Sequence, residues 1–178
     1  NNYLYKLFVL SGEDGTSAWA SADAVMRIET ALAKNQYSRV EMRDPYKTYN
    51  KLIFSDFNQK TPAFNWALTF QDFGTTAPDS VLVSAPKFFE SVNKMLIETP
   101  VETWKTYLTW NLLKGSSNYL SSPFVKANFT FNQVISGQKV QTPRWQRMSS
   151  LTDGVIGELL GQLYVAKYFK PEAKVRME

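Results

Sequence analysis

Four times along the chain a proline sits directly behind a side chain able to cap a helix: Asp44-Pro45, Thr99-Pro100, Ser122-Pro123 and Thr142-Pro143. Proline tolerates the first helical turn because its missing N–H would be unpaired there anyway, and its ring already holds φ near the helical value. The preceding oxygen can accept one of the orphaned amide hydrogens, which is worth about 1 kcal/mol. Thr99-Pro100-Val101-Glu102 adds the glutamate that completes a capping box. These four starts predict helices and outweigh the weak β propensity of the aromatic residues between them.

Apolar spacing fills in the rest. Leu4, Leu7 and Phe8 followed by Gly12 predict a first helix closed by a glycine. Its clear end and near-missing beginning give the expectation that the chain belongs to something longer. Residues 17–34, with Ala18, Ala22, Val25, Met26, Ile28 and Leu32, predict a second, alanine-rich helix. The last long helix is expected from Pro143 to Phe169. Gly74, Gly115 and Gly137 are candidate terminators or bends, and residues 55–62 and 73–86 are the expected exposed connections. Asp79 to Val83 has the short β-branched pattern of a strand, but a lone strand makes no sheet, so an extended connector is expected there. The fold class that follows is all-α, an irregular multi-helix domain of about seven or eight helices of ordinary length. The 178 residues fit a single helical domain, 1–178.

Composition removes most chemistry. The sequence has no cysteine and no histidine. That excludes disulfides, thiolate zinc sites, thiol nucleophiles, Ser-His-Asp triads and H-E-x-x-H zinc sites within these residues. A net charge of +4 is spread along the chain without a cationic stripe, so no nucleic-acid partner is expected. The longest uncharged run, Ala127 to Gln138, contains Asn128, Thr130, Asn132 and Gln133, and cannot span the roughly 20 apolar residues a bilayer demands.

Several constellations could carry function. Gly154, Gly157 and Gly161 align on one side of the last helix beside Val155, Ile156, Leu159, Leu160 and Leu163. Each glycine costs about 1 kcal/mol relative to alanine inside a helix, so tight packing is expected there, with Trp145 buried against the glycine face. Gly157 and Gly161 also satisfy a membrane-dimer spacing, which Asp153, Glu158 and Gln162 argue against. Trp104, Tyr107, Leu108, Trp110 and Leu112 form one aromatic-rich group, and Trp66, Phe70 and Phe73 another. Core packing explains both groups better than base stacking. Glu29, Asp153 and Glu158 could in principle form an acid/base carboxylate pair, with salt bridges or caps as the ordinary explanation. Asn128-Phe129-Thr130 is a formal glycosylation sequon whose flanking aromatics favour burial.

Taken in order, these strings resemble a known family. Arg27 to Ala33, then Arg43-Asp44-Pro45 and Thr48-Tyr49-Asn50-Lys51, are similar to the N-terminal half of the neprilysin and endothelin-converting-enzyme family of zinc metalloendopeptidases, its bacterial oligopeptidase branch above all. Trp104 to Leu112, Phe124 to Phe131, Ser136-Gly137, Pro143-Arg144-Trp145 and the run Gly157 to Val165 continue the resemblance in the same order. Met148 stands where animal members tend to carry a disulfide cysteine.

The resemblance implies a helical domain that covers the active-site chamber and restricts cleavage to short peptides. It places the zinc, its H-E-x-x-H helix and the water-activating glutamate in a catalytic domain of the same parent chain, outside these residues. No catalytic, cofactor-binding or metal residue is therefore assigned here. Arg43 and Asp44 could face the chamber, although capping and local pairing explain them more simply. The implied partners are the parent's catalytic domain and its peptide substrates, with an extracytoplasmic location and no membrane span in this segment. The alternative reading is a self-contained helical protein-binding module.

Overall fold

The computed structural model describes residues 1–170. Its elements run α1 (Asn2–Leu10), α2 (Gly15–Lys34), a single 3-10 turn, α3 (Pro45–Thr48), β1 (Lys51–Ile53), α4 (Phe54–Lys60), α5 (Trp66–Asp72), β2 (Ser80–Leu82), α6 (Pro86–Glu98), α7 (Val101–Ser116), α8 (Ser122–Ser136) and α9 (Arg144–Tyr168). The all-α expectation holds, with nine α-helices among the described residues. They fall into two compact units, Asn1–Leu113 and the residues from Lys114 onward, each described by itself.

In the first unit, α1 and α2 form a helical hairpin. Asp14 takes the amide hydrogens of Thr16 (2.9 Å) and Ser17 (3.1 Å), so α2 begins at Gly15 rather than Ser17. Gly12 sits at φ 108°, a left-handed conformation that suits glycine as the hairpin turns. Ala18, Ala22 and Val25 recur on one side of α2 and, with Leu7 and Phe8 of α1, are completely shielded from solvent. Small alanines let the two backbones approach, and the burial of Leu7 and Phe8 contributes roughly 1.5–3 kcal/mol apiece. Tyr5 stacks on Trp19 at 4.5 Å across the rim of the hairpin.

A second cluster joins α4, α5 and α6. Phe57 meets Trp66 at 5.4 Å and Phe89 at 5.6 Å, and Phe64 stacks on Trp66 at 4.9 Å. At its centre Thr61 is wholly buried, its hydroxyl donating to the Phe57 carbonyl (2.7 Å) and accepting from the Trp66 indole N–H (2.9 Å). The Asn93 side-chain oxygen accepts the Ala63 amide hydrogen at 2.7 Å, tying this stretch to α6. The connection expected over 55–62 is exposed at most of its positions but is largely helical, as α4, and it buries Phe57 and Thr61, which lie one helical turn apart and face the same way.

The extended connector expected at 79–83 is corrected. Ser80–Leu82 is a strand paired antiparallel with Lys51–Ile53, in the register Lys51↔Leu82, Leu52↔Val81 and Ile53↔Ser80. Its partner is three residues long, too short to show an alternating pattern in the sequence. Val83, next to the pairing, is buried and belongs to the expected 73–86 connection.

Of the four proline-marked caps, only Asp44 acts as expected, accepting from the Tyr46 amide at 2.9 Å. Thr99 instead closes α6, and the Trp104 amide reaches the Pro100 carbonyl, so α7 starts one residue later than a Thr99 cap requires. Glu102 pairs with Lys105 at 2.7 Å. The caps of α8 and α9 fall on Ser121 and Pro143, neither making a side-chain cap bond. Proline thus marks the helix starts to within a residue, while which neighbour becomes the cap depends on where the incoming chain runs. Gly74 (φ 68°) and Gly137 (φ 71°) terminate helices as expected, whereas Gly115 lies inside α7.

In the second unit, Val125, Ala127 and Asn128 of α8 are buried. Asn128 donates to the Asn118 side-chain oxygen (2.8 Å) and accepts from Asn132 (3.0 Å), so the sequon asparagine is buried as expected. Gln141 donates to the Val125 carbonyl at 3.3 Å, and Arg147 donates to the Thr142 carbonyl.

Candidate functional site

One concave surface of the first unit lies between α2 and α6. One open groove of about 520 Å³ is lined by Asp23, Met26, Arg27, Thr30, Lys34 and Met95, among others. A neighbouring hollow of about 460 Å³ shares Arg27, Ala31 and Met95 and continues to Glu98 and Thr103. Helical spacing puts Asp23, Arg27, Thr30 and Lys34 on one face of α2, and Met95 of α6 supplies the opposite wall. The lining alternates charge and thioether carbon. Such a surface can hold a polar chain, but it contains no nucleophile paired with a base.

Beside it, Tyr107 of α7 donates its hydroxyl to a Glu29 carboxylate oxygen at 2.8 Å, linking α7 to α2. Burial, reinforced by that carboxylate, pushes the Tyr107 phenol above its ordinary value of 10.0. A third, apolar hollow of about 330 Å³ is lined by Phe54, Phe57, Phe70, Val81, Val83 and Phe89, with Trp66, Leu82 and Ser84 completing it. Trp66 and Phe70 therefore pack inward as expected, while Phe73 stands 79% exposed.

Glu29 is engaged by Tyr107, while Asp153 and Glu158 lie exposed on α9, where Gln162 donates to Glu158 at 3.5 Å. Arg43 is exposed, and Asp44 is occupied as the α3 cap. Glu41, which the sequence did not single out, accepts from the Ser38 amide and hydroxyl and from Lys47. Those donors, the backbone amide first, hold its carboxyl down at about 2.

The face of α9 requires a correction. Trp145 is 73% exposed, and no residue of α9 is buried. A Cβ placed on Gly154 or Gly161 would meet nothing within 4 Å, and one on Gly157 would meet only Asp153 of the same helix. The tight packing expected against these glycines is absent among the described residues, since periodicity shows that a helix has a face to bury but not what buries it.

The sequence offers no histidine or cysteine, and the described residues hold no group of three or more acidic side chains able to share a metal ion. Zinc prefers nitrogen and sulfur donors in a tetrahedral set, so the residues of this chain do not fit it. No helix among the described residues is long and apolar enough to cross a membrane.

Comparison with known proteins finds relatives along the whole of this helical segment. The chain is 27% identical over 179 residues to endothelin-converting enzyme 1 of Cavia porcellus, covering 97% of this chain and 24% of that protein. It is 24% identical to neprilysin-2 of Drosophila melanogaster, again covering 97% of this chain and 24% of the relative. The chain therefore spans about a quarter of the length of the curated relatives it matches. Among solved structures, the cryo-EM structure of the Mycobacterium tuberculosis zinc metalloprotease Zmp1 in its open state superposes with a TM-score of 0.86 at 26% identity, covering 98% of this chain and 28% of that one. The family model for the N-terminal region of peptidase family M13 matches residues 1–178, and the chain belongs to that family.

Proposed function

We propose that this chain is the non-catalytic, helical N-terminal segment of a neprilysin-like zinc metalloendopeptidase, covering the active-site chamber and admitting only short peptides. The observation that carries this reading is the family match along the whole chain combined with a donor set that cannot hold the metal. In this reading the zinc, its ligands and the proton-transferring groups belong to a catalytic domain in the part of the parent outside these residues. This chain contributes walls that exclude bulky substrates and limit water around the reacting peptide. The mixed lining of the α2–α6 groove suits a surface passed by peptides of varied sequence, since it offers both charges and flexible methionines. The parent works outside the cytoplasm, as do its substrates.

The test compares this 178-residue chain with its full-length parent, each incubated with zinc and a short hydrophobic peptide. The expected result is cleavage by the parent, abolished by a chelator, and none by the short chain. The parent should also leave a folded protein intact under conditions in which the short peptide is consumed. Turnover by the purified short chain, or equal cleavage of peptide and folded protein, refutes the proposal.

A further inference from the structure

The region that the fold leaves unexplained is the C-terminal half of α9. At 100° per residue, Gly154, Gly157 and Gly161 fall within an arc of about 60°, which widens to about 100° when Tyr164, Val165 and Tyr168 further along are included. Val155, Leu159, Leu160 and Leu163 occupy the other side. These last four are 75%, 64%, 42% and 63% exposed. The two sides are separated by a narrow polar strip at Glu158 and Gln162, and two exposed apolar faces of this extent on one helix mark contact surfaces. The bare glycine stripe adds shape to the argument: with no side chain in the way, another backbone can approach the helix there.

The occupant follows from the comparisons. Zmp1 holds this same fold over 98% of the present chain while only 28% of its own length is matched. A backbone arrangement of this kind thus exists inside a protein more than three times as long. We propose that Gly154–Tyr168 is an interior helix of the parent protein, seated against its C-terminal section, and that a helix of that section crosses α9 at the glycine stripe. The proposal rests on the reading of this chain as one section of a longer peptidase, and it adds to that reading the surface through which the sections join.

The test needs no variant at first. Hydroxyl-radical labelling of Leu159, Leu163, Tyr164 and Tyr168 is compared between the 178-residue chain and the full-length parent. Labelling is expected to be several-fold slower in the parent. Equal labelling in both overturns the proposal. So does protection already present in the short chain at low concentration, which would mean that its own residues cover α9. Protection that rises with the short chain's concentration would name a second copy as the occupant and overturn the proposal equally.

Gly161→Leu then tests the crossing. In the short chain the space beside Gly161 is open and leucine is the better helix former, so Tm should stay the same or rise. In the parent the side chain wedges the crossing helix away, so Tm should fall by several degrees. A fall in the short chain, or no fall in the parent, refutes the close crossing. Peptide cleavage is scored separately. Loss of cleavage with α9 protected sinks the peptidase reading alone, and cleavage with α9 labelled as fast as in the short chain sinks this inference alone.

Discussion

Thr61→Val isolates the polar centre of the aromatic cluster. Valine has nearly the shape of threonine, so Thr61, which is wholly buried, can be replaced without opening a cavity. What disappears is one hydroxyl making two bonds, a donation to the Phe57 carbonyl at 2.7 Å and an acceptance from the Trp66 indole at 2.9 Å. Each such bond contributes roughly 0.5–1.5 kcal/mol net, and a buried partner left unsatisfied costs about 1–3 kcal/mol. The expected loss is therefore about 2 kcal/mol, read as a lower urea midpoint with an unchanged slope. The indole N–H of Trp66 should also exchange with solvent faster, seen as the loss of its protected NMR resonance. Thr61→Ser keeps the hydroxyl, and should keep that resonance while losing only the buried methyl group. A cost for the valine variant below about 0.5 kcal/mol, with the indole still protected, would show that the cluster is held by ring packing alone.

Trp145→Ala should cost less than about 1 kcal/mol in the 178-residue chain, because the ring is 73% exposed; chemical denaturation checks it. The Glu41 carboxyl should titrate with a midpoint of about 2 in carbon-detected NMR, against an ordinary 4.5, and Lys47→Met should raise it. Because its folded value is depressed, the stabilisation linked to Glu41 is complete above pH 4.5 and is lost as the pH falls toward 2. Tyr107 has the opposite sign. Its contribution is fully present below pH 10.0 and is lost as the pH rises through its higher folded value, visible as a delayed phenolate absorbance. Tyr107→Phe should remove that delayed component and cost about 1 kcal/mol, since solvent reaches the pair and screens it.

The helices were legible because their signals are local. Apolar spacing in α1 and α2, and prolines within a residue or two of the starts of α3, α7, α8 and α9, act through hydrogen bonds and dihedral angles that involve only neighbouring residues. The caps of α2 and α5 went unnoticed although Asp14 and Asn65 are strong capping types, since neither precedes a proline. The strand pair was missed for a different reason. Lys51–Ile53 and Ser80–Leu82 are each too short to carry a pattern, and even their nearest partners, Ile53 and Ser80, are separated by 26 intervening positions.

For the candidate site, the exclusions came from composition: a chain lacking histidine and cysteine has no donors for a conventional zinc centre wherever its atoms are placed. The groove between α2 and α6, the Glu29–Tyr107 link and the buried Thr61 became visible only in three dimensions. The groove and the Glu29–Tyr107 link join residues whose separation along the chain says nothing of their distance in space, whereas Thr61 bonds only near neighbours and shows in three dimensions by its burial.

By itself the sequence determined that this protein is helical, where several of its helices begin or end, and that it has no conventional zinc-binding set, because each of these depends on residue type and near neighbours. Tertiary structure alone decided which apolar faces are satisfied. The alanine face of α2 is closed by α1, while the glycine and leucine faces of α9 stand open among the described residues. Periodicity is identical for a covered face and an uncovered one, since the pattern records the need for a partner and only packing supplies it.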